Sequence, residues 1–327
     1  MRYLTHLGVE VVGYSLPAKD QDLYSTSQLI GTIDEMFADI RDFDNLKKFV
    51  AKTKPSAIFH LAAQPLVLES YRDPLGTFST NVMGTANVLE IARLNPNVQA
   101  VIVVTTDKVY KNENLGRRFV ESDPLLGNDP YSASKVGTEN VAIAWRQLCA
   151  KDFGPSISIV RSGNVIGGGD LSKDRLFADI IRARISADRL TIRNPKSTRP
   201  WQHVLDPLNG YLMTMERALN DSVGAEYNFG PTENSLTVGE VIQTVEKIWP
   251  DLAFDLSENS TDFYESKLLD LNSSYAKEVL KWEPRYSQIK AIELTVSWWD
   301  KVLNKEASPL ESIDFDVKQF IAKKLLS

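Results

Sequence analysis

The chain has 327 residues, 43% hydrophobic and 24% charged, enough to bury a substantial core in one large domain or a main domain with a lobe. A net charge of −6 argues against general nucleic-acid affinity; one cysteine, Cys149, excludes an intrachain disulfide or thiolate cluster, and His6, His60 and His203 lack metal-ligand spacing. No apolar run approaches the roughly 20 residues that cross a bilayer and no signal pattern is seen, so a soluble cytoplasmic protein is expected.

Residues 1–7 read as the back end of a helix running into a short strand at 9–13. A helix follows over 44–53, capped by Asp42 or Asp44, then a buried strand over 56–62. The pattern continues as a long helix over 74–94, a strand over 99–105, a helix over 131–150 and an apolar strand over 156–161. Such alternation predicts an α/β fold, a Rossmann-like doubly wound parallel sheet with right-handed crossovers. Beyond about residue 165 the pattern breaks into shorter elements, among them 174–187, 206–220, 237–249 and 287–303, with loops between. Residues 1–165 are therefore expected to form a dinucleotide-binding domain, and 166–327 mainly a smaller C-terminal substrate-binding lobe. Gly8, Gly13 and Gly31 do not form the glycine-rich turn that normally opens such a sheet. A first strand and glycine loop, roughly 20–25 residues, are expected to be missing. A mis-assigned start would explain this, the alternative being a chain with compromised cofactor binding.

The densest chemistry lies at Thr105-Thr-Asp-Lys108 and Tyr131-Ser-Ala-Ser-Lys135. A Tyr and a Lys four apart share a helix face, and a nearby ammonium favours a phenolate. Such a phenol can take a proton from a sugar hydroxyl while hydride leaves the same carbon, with Thr106 bonding the same oxygen. A Tyr-x-x-x-Lys alone is weak; a Thr-Asp-Lys at a strand end upstream makes it specific.

Several further segments complete a resemblance: Asp39-Ile-Arg-Asp42, Phe59-His-Leu-Ala-Ala-Gln-Pro-Leu66, Thr80-Asn-Val-Met-Gly-Thr85, Val160-Arg-Ser-Gly-Asn-Val-Ile-Gly-Gly-Gly-Asp170, Lys173-Asp-Arg175 and Arg199-Pro-Trp-Gln-His-Val204. In this order the chain resembles the extended short-chain dehydrogenases of the NAD-dependent epimerase/dehydratase family, and within them the CDP-glucose branch of the 4,6-dehydratases. Sister dehydratases carry an Asp-Glu or Ser-Glu pair where this chain has Asp107-Lys108.

The resemblance implies NAD as a tightly held cofactor. The second strand ends Gly13-Tyr14-Ser15 without the acidic residue that usually grips the ribose, which leaves NADP open. Asp39 and Ile40 would border the adenine, although Asp39 also reads as part of a helix cap. Leu61, Ala62 and Ala63 end a strand with side chains small enough for close approach. Gln64 and Asn81 would bond the ribose or pyrophosphate, or else tie loops together. Thr105, Tyr131, Lys135 and Arg161 complete the cofactor set that the resemblance implies. A nucleoside diphosphate needs cations and donors, for which Asn164, Arg175 and Arg199 are candidates. Arg193 is a weaker one that reads as a solvated charge. Gly167-Gly168-Gly169 would let the loop pass close to the sugar nucleotide, or form only a tight turn. His203 joins the substrate set, though it reads more readily as a packed structural histidine.

The implied reaction is dehydration of CDP-glucose: Tyr131 as base at the 4-hydroxyl, Asp107 as acid for the departing 6-hydroxyl and Lys108 as base at carbon 5. A same-fold epimerase or reductase, or a cofactor-deficient remnant, are the alternatives. Apolar positions on the 74–94 and 131–150 helices (Val82, Val88, Leu89; Val136, Val141, Trp145) exceed what one sheet face needs and imply a homodimer through a four-helix interface.

Overall fold

The computed structural model describes residues 1–113, 116–173, 175–192, 194–256 and 269–324. Arg193, and Asp174 within the Lys173-Asp-Arg175 segment, lie outside the described residues. The chain opens with α1 (Arg2–His6), β1 (Val12–Ser15), α2 (Leu23–Thr26) and β2 (Asp34–Phe37), the two strands pairing in parallel. α3 (Phe43–Thr53) is capped by Asp42, whose carboxylate accepts the Asn45 N–H. β3 (Ala57–His60), α4 (Val67–Arg72), α5 (Pro74–Phe78), a π-helical turn (Ser79–Met83), α6 (Gly84–Leu94) and β4 (Ala100–Val104) follow. The expected single helix over 74–94 is thus α5 and α6 joined through a wide turn. α7 (Pro130–Asp152) and β5 (Ser156–Ser162) close this half of the chain.

The second half contributes β6 (Val165–Ile166), α8 (Leu176–Ser186), β7 (Leu190–Ile192), β8 (Thr198–Arg199), β9 (Gln202–His203) and α9 (Leu205–Asp221). β10 (Glu226–Phe229), β11 (Leu236–Thr237), α10 (Val238–Glu246), β12 (Phe254–Leu256), α11 (Ser274–Leu280), α12 (Gln288–Leu303) and α13 (Pro309–Lys324) complete it. No helix among the described residues is long and apolar enough to cross a membrane.

The main sheet is all parallel, in the order β10-β5-β4-β3. Strand periodicity decides its two faces. Val101 and Val103 of β4 point to the side of Leu46, Val50, Val88, Leu89 and Ala142 from α3, α6 and α7. Ala100 and Ile102 point to the other side, against Tyr211, Met215 and Ala218 of α9 and Ala276 of α11. Each large apolar side chain so buried stabilises the fold by about 1.5–3 kcal/mol.

The expected α/β parallel sheet is present, as two ladders, β1–β2 and the four-stranded sheet, with α3 packing on both β1 and α6. Two expectations change. Residue 165 is not a clean boundary, because α9, β10 and α11 return to complete the first sheet. Val88 and Leu89 belong to the core rather than to a spare helix face. The lobe has its own core, built from Phe177, Ile180, Trp201, Val241, Trp249, Val296 and Trp298.

Candidate active site

β4 ends at Val104, and the following Thr105 N–H still donates to Val160 O of β5 at 2.8 Å. Thr106 then leaves the sheet in extended backbone, its hydroxyl donating to Asp107 Oδ1 at 3.0 Å and accepting the Lys108 N–H at 3.3 Å. α7 begins beside this turn through a capping box of Asp129 and Ser132, with Pro130 in its first turn. Its second residue, Tyr131, donates its backbone N–H to Ser70 Oγ of α4 at 3.1 Å, and its phenol hydrogen-bonds the Thr106 side chain. Thr106, Asp107 and Tyr131 therefore converge on one buried spot, each less than a tenth exposed.

Burial governs the electrostatics there. Asp107 is pushed up to about 6 by desolvation, against the opposing pull of Lys108, the Thr106 hydroxyl and Arg199. A Cβ on Gly163 would stand 3.1 Å from Asp107 Oδ2 and 3.2 Å from Pro200, so the carboxyl is walled in on that side. The Tyr131 phenol is likewise pushed up to about 12 by burial, with the Thr106 hydrogen bond and Arg175 pulling it down. This corrects the expectation of a phenol lowered by Lys135. The Lys135 ammonium donates instead to Val104 O at 3.1 Å and is itself held down at about 8 by burial. Arg175 and Arg199, far apart in sequence, each bear electrostatically on one of these two groups; Arg175 also pairs with Asp170 at 3.4 Å. Lys108 lines a shallow open cleft with Val67, Tyr71, Asn128 and Ser132.

Other expected contacts are spent inside the fold. Gln64 and Asn81 tie loops: the Gln64 N–H donates to Asn81 Oδ1 at 2.7 Å, Asn81 Nδ2 donates to Ser134 Oγ at 2.9 Å, and Gln64 Nε2 donates to Thr77 Oγ1 at 2.9 Å. Arg161 is 2% exposed and its guanidinium is held by Glu139, Tyr110 and the Glu121 carbonyl, so the cofactor role implied for it gives way to a buried one. Thr105 likewise donates to Glu139. The Asp39 carboxylate is taken by Arg41, and Ile40 is packed in the core. His203 is buried edge-on to Tyr286 and kept near 4 by desolvation; it is a packed side chain. Gly168 and Gly169 serve packing: a Cβ on Gly168 would collide with Trp298 at 2.0 Å, and Gly169, at φ +87°, with Leu23 at 2.4 Å. Asn164 stands half-buried after β5, its carbonyl accepting the Gln202 N–H at 3.0 Å.

The end of β3 leaves surface of the kind a dinucleotide needs for close approach to the backbone. Leu61 is 53% exposed and Ala62 and Ala63 are half-buried, so the end of β3 stays open beside Lys135 and the Tyr131–Thr106 pair. Residues that sequence reasoning misses are Glu139 and Ser70. Glu139 has a readable signal, since 131, 135 and 139 recur every fourth residue along one helix face.

The family model described as GDP-mannose 4,6 dehydratase matches residues 1–295. The chain is similar to the CDP-glucose 4,6-dehydratase of Salmonella typhimurium, 39% identical over 307 residues that span 90% of this chain and 85% of that one. Among solved structures, the UDP-glucose 4-epimerase of Thermotoga maritima aligns with a TM-score of 0.77 at 22% identity, covering 92% of this chain and 94% of the other. The NAD complex of dTDP-glucose 4,6-dehydratase from Bacillus anthracis aligns at 0.74 and 21% identity, covering 91% of each chain. These two likenesses concern the fold.

Proposed function

The chain belongs to the GDP-mannose 4,6-dehydratase family, and from that footing we propose that it is an NAD-dependent hydro-lyase, a nucleotide-sugar 4,6-dehydratase acting on CDP-glucose. The observation that carries the reading is the Asp107 carboxyl, buried and held near 6, one residue from Thr106 and beside the Tyr131 phenol. An epimerase has no departing hydroxyl to protonate, whereas a 4,6-dehydratase must supply an acid at carbon 6. The 39% identity to a CDP-glucose enzyme supports the base assignment.

In the mechanism, Tyr131 takes the proton of the 4-hydroxyl, with Thr106 holding the same oxygen. NAD, which the residues at the ends of β3 and β4 would hold, would supply the hydride chemistry: removal from carbon 4 and return to carbon 6. The ketone at carbon 4 acidifies the proton on carbon 5, which Lys108 removes. Asp107 donates its proton to the 6-hydroxyl as it leaves as water. The proton held by Lys108 returns to carbon 5, completing a 4-keto-6-deoxy sugar with no net oxidation. Ala62 and Ala63 would leave room for the cofactor at the end of β3 and Lys135 holds its position beside Tyr131, while Asn164, Arg175 and Arg199 would hold the sugar nucleotide.

A homodimer accompanies this reading, formed across α5, α6 and α7 as a four-helix interface in the cytoplasm. Leu75, Phe78 and Met83, exposed by 83%, 40% and 58%, supply apolar surface for it in place of the core residues Val88 and Leu89. The activity is tested by incubating the purified chain with NAD and, separately, CDP-glucose, UDP-glucose and dTDP-glucose, reading products by mass. Loss of one water from CDP-glucose, at a kcat/KM at least about tenfold above the other two, is the expected result. Inversion at carbon 4 without water loss would replace this reading with the epimerase one.

A further inference from the structure

Glu139 lies on α7 one turn beyond Lys135 and two beyond Tyr131, and it is wholly buried. Buried carboxylates are tolerated only when fully paired, and this one is. Its Oε1 accepts the Thr105 hydroxyl at 2.7 Å and Arg161 Nε at 2.8 Å, and its Oε2 binds Arg161 Nη2. Thr105 is the residue immediately before the Thr106–Asp107 pair, and its N–H is fixed to Val160 O. Arg161 carries the connection onward: Nη1 donates to Tyr110 OH at 2.6 Å and to Glu121 O at 3.1 Å, and Tyr110 OH donates to Asn228 Oδ1 of β10 at 2.8 Å. One carboxylate thereby fastens the tip of β4, the tip of β5 and the catalytic face of α7 together. None of these contacts is used in the mechanism above.

We infer that Glu139 is a positioning residue of this enzyme: it clamps the β4 tip onto α7, keeping Thr106 and Asp107 in register with Tyr131, and supplies the anion that faces the Lys135 ammonium. The inference rests on the dehydratase reading and extends it. Around Lys135 the titratable groups are Tyr131 and Glu139, one turn to either side on its own helix, and His60 from β3; behind Glu139 stands Arg161 from β5. His60 is neutral, held near 3 by burial, with its Nε2 on Thr85 Oγ1 at 2.9 Å. Glu139 is thus the one anion among them. Its charge raises the Lys135 value against the burial that lowers it, so losing that charge moves Lys135 further down.

The test measures kcat and KM for CDP-glucose across pH in Glu139→Gln, in the neutral pair Glu139→Gln with Arg161→Met, and in Thr105→Val. Glu139→Gln keeps the shape and an acceptor for Thr105 but removes the charge. Its alkaline limb in kcat is expected about one pH unit below that of the wild type, with KM nearly unchanged, because an opposite charge at close range is worth about 1–3 units. The double variant leaves no stranded guanidinium, remains testable should the single one not fold, and is expected to show the same direction of shift. Thr105→Val loosens the clamp with no change of charge, so kcat should fall about tenfold or more at every pH with the limb unmoved. A limb that stays in place in the charge variants, or moves only where Arg161 is left unpaired, overturns the electrostatic half. A wild-type kcat in Thr105→Val overturns the clamp. A wild-type chain that never dehydrates CDP-glucose fails the earlier reading instead, before any variant is compared.

Discussion

Replacing Asp107 with Asn should weaken catalysis and strengthen the fold, with a pH signature for both. The carboxyl titrates near 6 instead of an ordinary 3.8 because burial penalises its charged form. That gap corresponds to about 3 kcal/mol. At pH 7 a group titrating near 6 is protonated in about one molecule in ten, against roughly one in a thousand or fewer for an unperturbed carboxyl, so burial is what makes it usable as an acid. The same shift destabilises the native state. Between 3.8 and about 6 the folded chain holds a proton that the unfolded chain has released, so stability falls as pH rises through that window and the full penalty applies above it. Asn carries no such charge. At pH 8 Asp107→Asn should unfold at higher denaturant concentration than the wild type, with a gain of up to about 3 kcal/mol, and below pH 4 the two should converge. In the same protein, CDP-glucose with NAD should give reduced-nicotinamide absorbance that builds up with little 4-keto-6-deoxy product, because oxidation at carbon 4 survives and water loss does not. The assays are denaturant titration at both pH values and single-turnover absorbance with product mass. An Asn variant that is less stable at pH 8, or that eliminates water at the wild-type rate, refutes the reasoning.

Tyr131→Phe should leave the fold intact and lower kcat by about 10²–10⁴, the usual loss for a general base, and steady-state kinetics beside a circular dichroism spectrum decide it. Arg199→Gln should raise KM for the sugar nucleotide and also push the Asp107 carboxyl further up, since the guanidinium opposes its protonation, so the limb it sets in the pH–rate profile moves to higher pH. Leu89→Ala should cost about 2–5 kcal/mol by denaturant titration without altering the mass in light scattering, because Leu89 is wholly buried in the core. Leu75→Asp should do the reverse, sparing stability and converting a dimer to a monomer at micromolar concentration.

Much of the site is legible in the order of residues alone. Tyr131, Lys135 and the Thr106-Asp107-Lys108 run stand out because chemistry needs those types close together, and the strand-turn and helix-start patterns around them are local. The apolar run at 99–105 and the helical periods at 44–53 and 131–150 likewise predict the elements to within a residue or two of the observed ends. β2 reads only as a strand-like stretch and β10 does not read as a strand at all. Asp34-Glu-Met-Phe37 and Glu226-Tyr-Asn-Phe229 carry little period of their own and are strands because a neighbour pairs with them.

Which residue types meet on α7 and at the end of β4 is dictated by the chain itself, because a helix repeats every 3.6 residues and a strand every two whatever surrounds them. What each polar group is spent on comes instead from packing between distant segments. Gln64, Asn81 and Arg161 have the chemistry of ligand contacts, yet each finds buried protein partners that sequence spacing does not reveal. Lys135 sits on the same helix face as Tyr131 but turns to the Val104 carbonyl, so the spacing holds while its expected electrostatic consequence does not. Protonation is set by how much water is removed and which charges remain near, and those come from segments far apart in the chain: Thr106 against Tyr131, Gly163 and Pro200 against Asp107, Arg199 and Arg175 from the lobe.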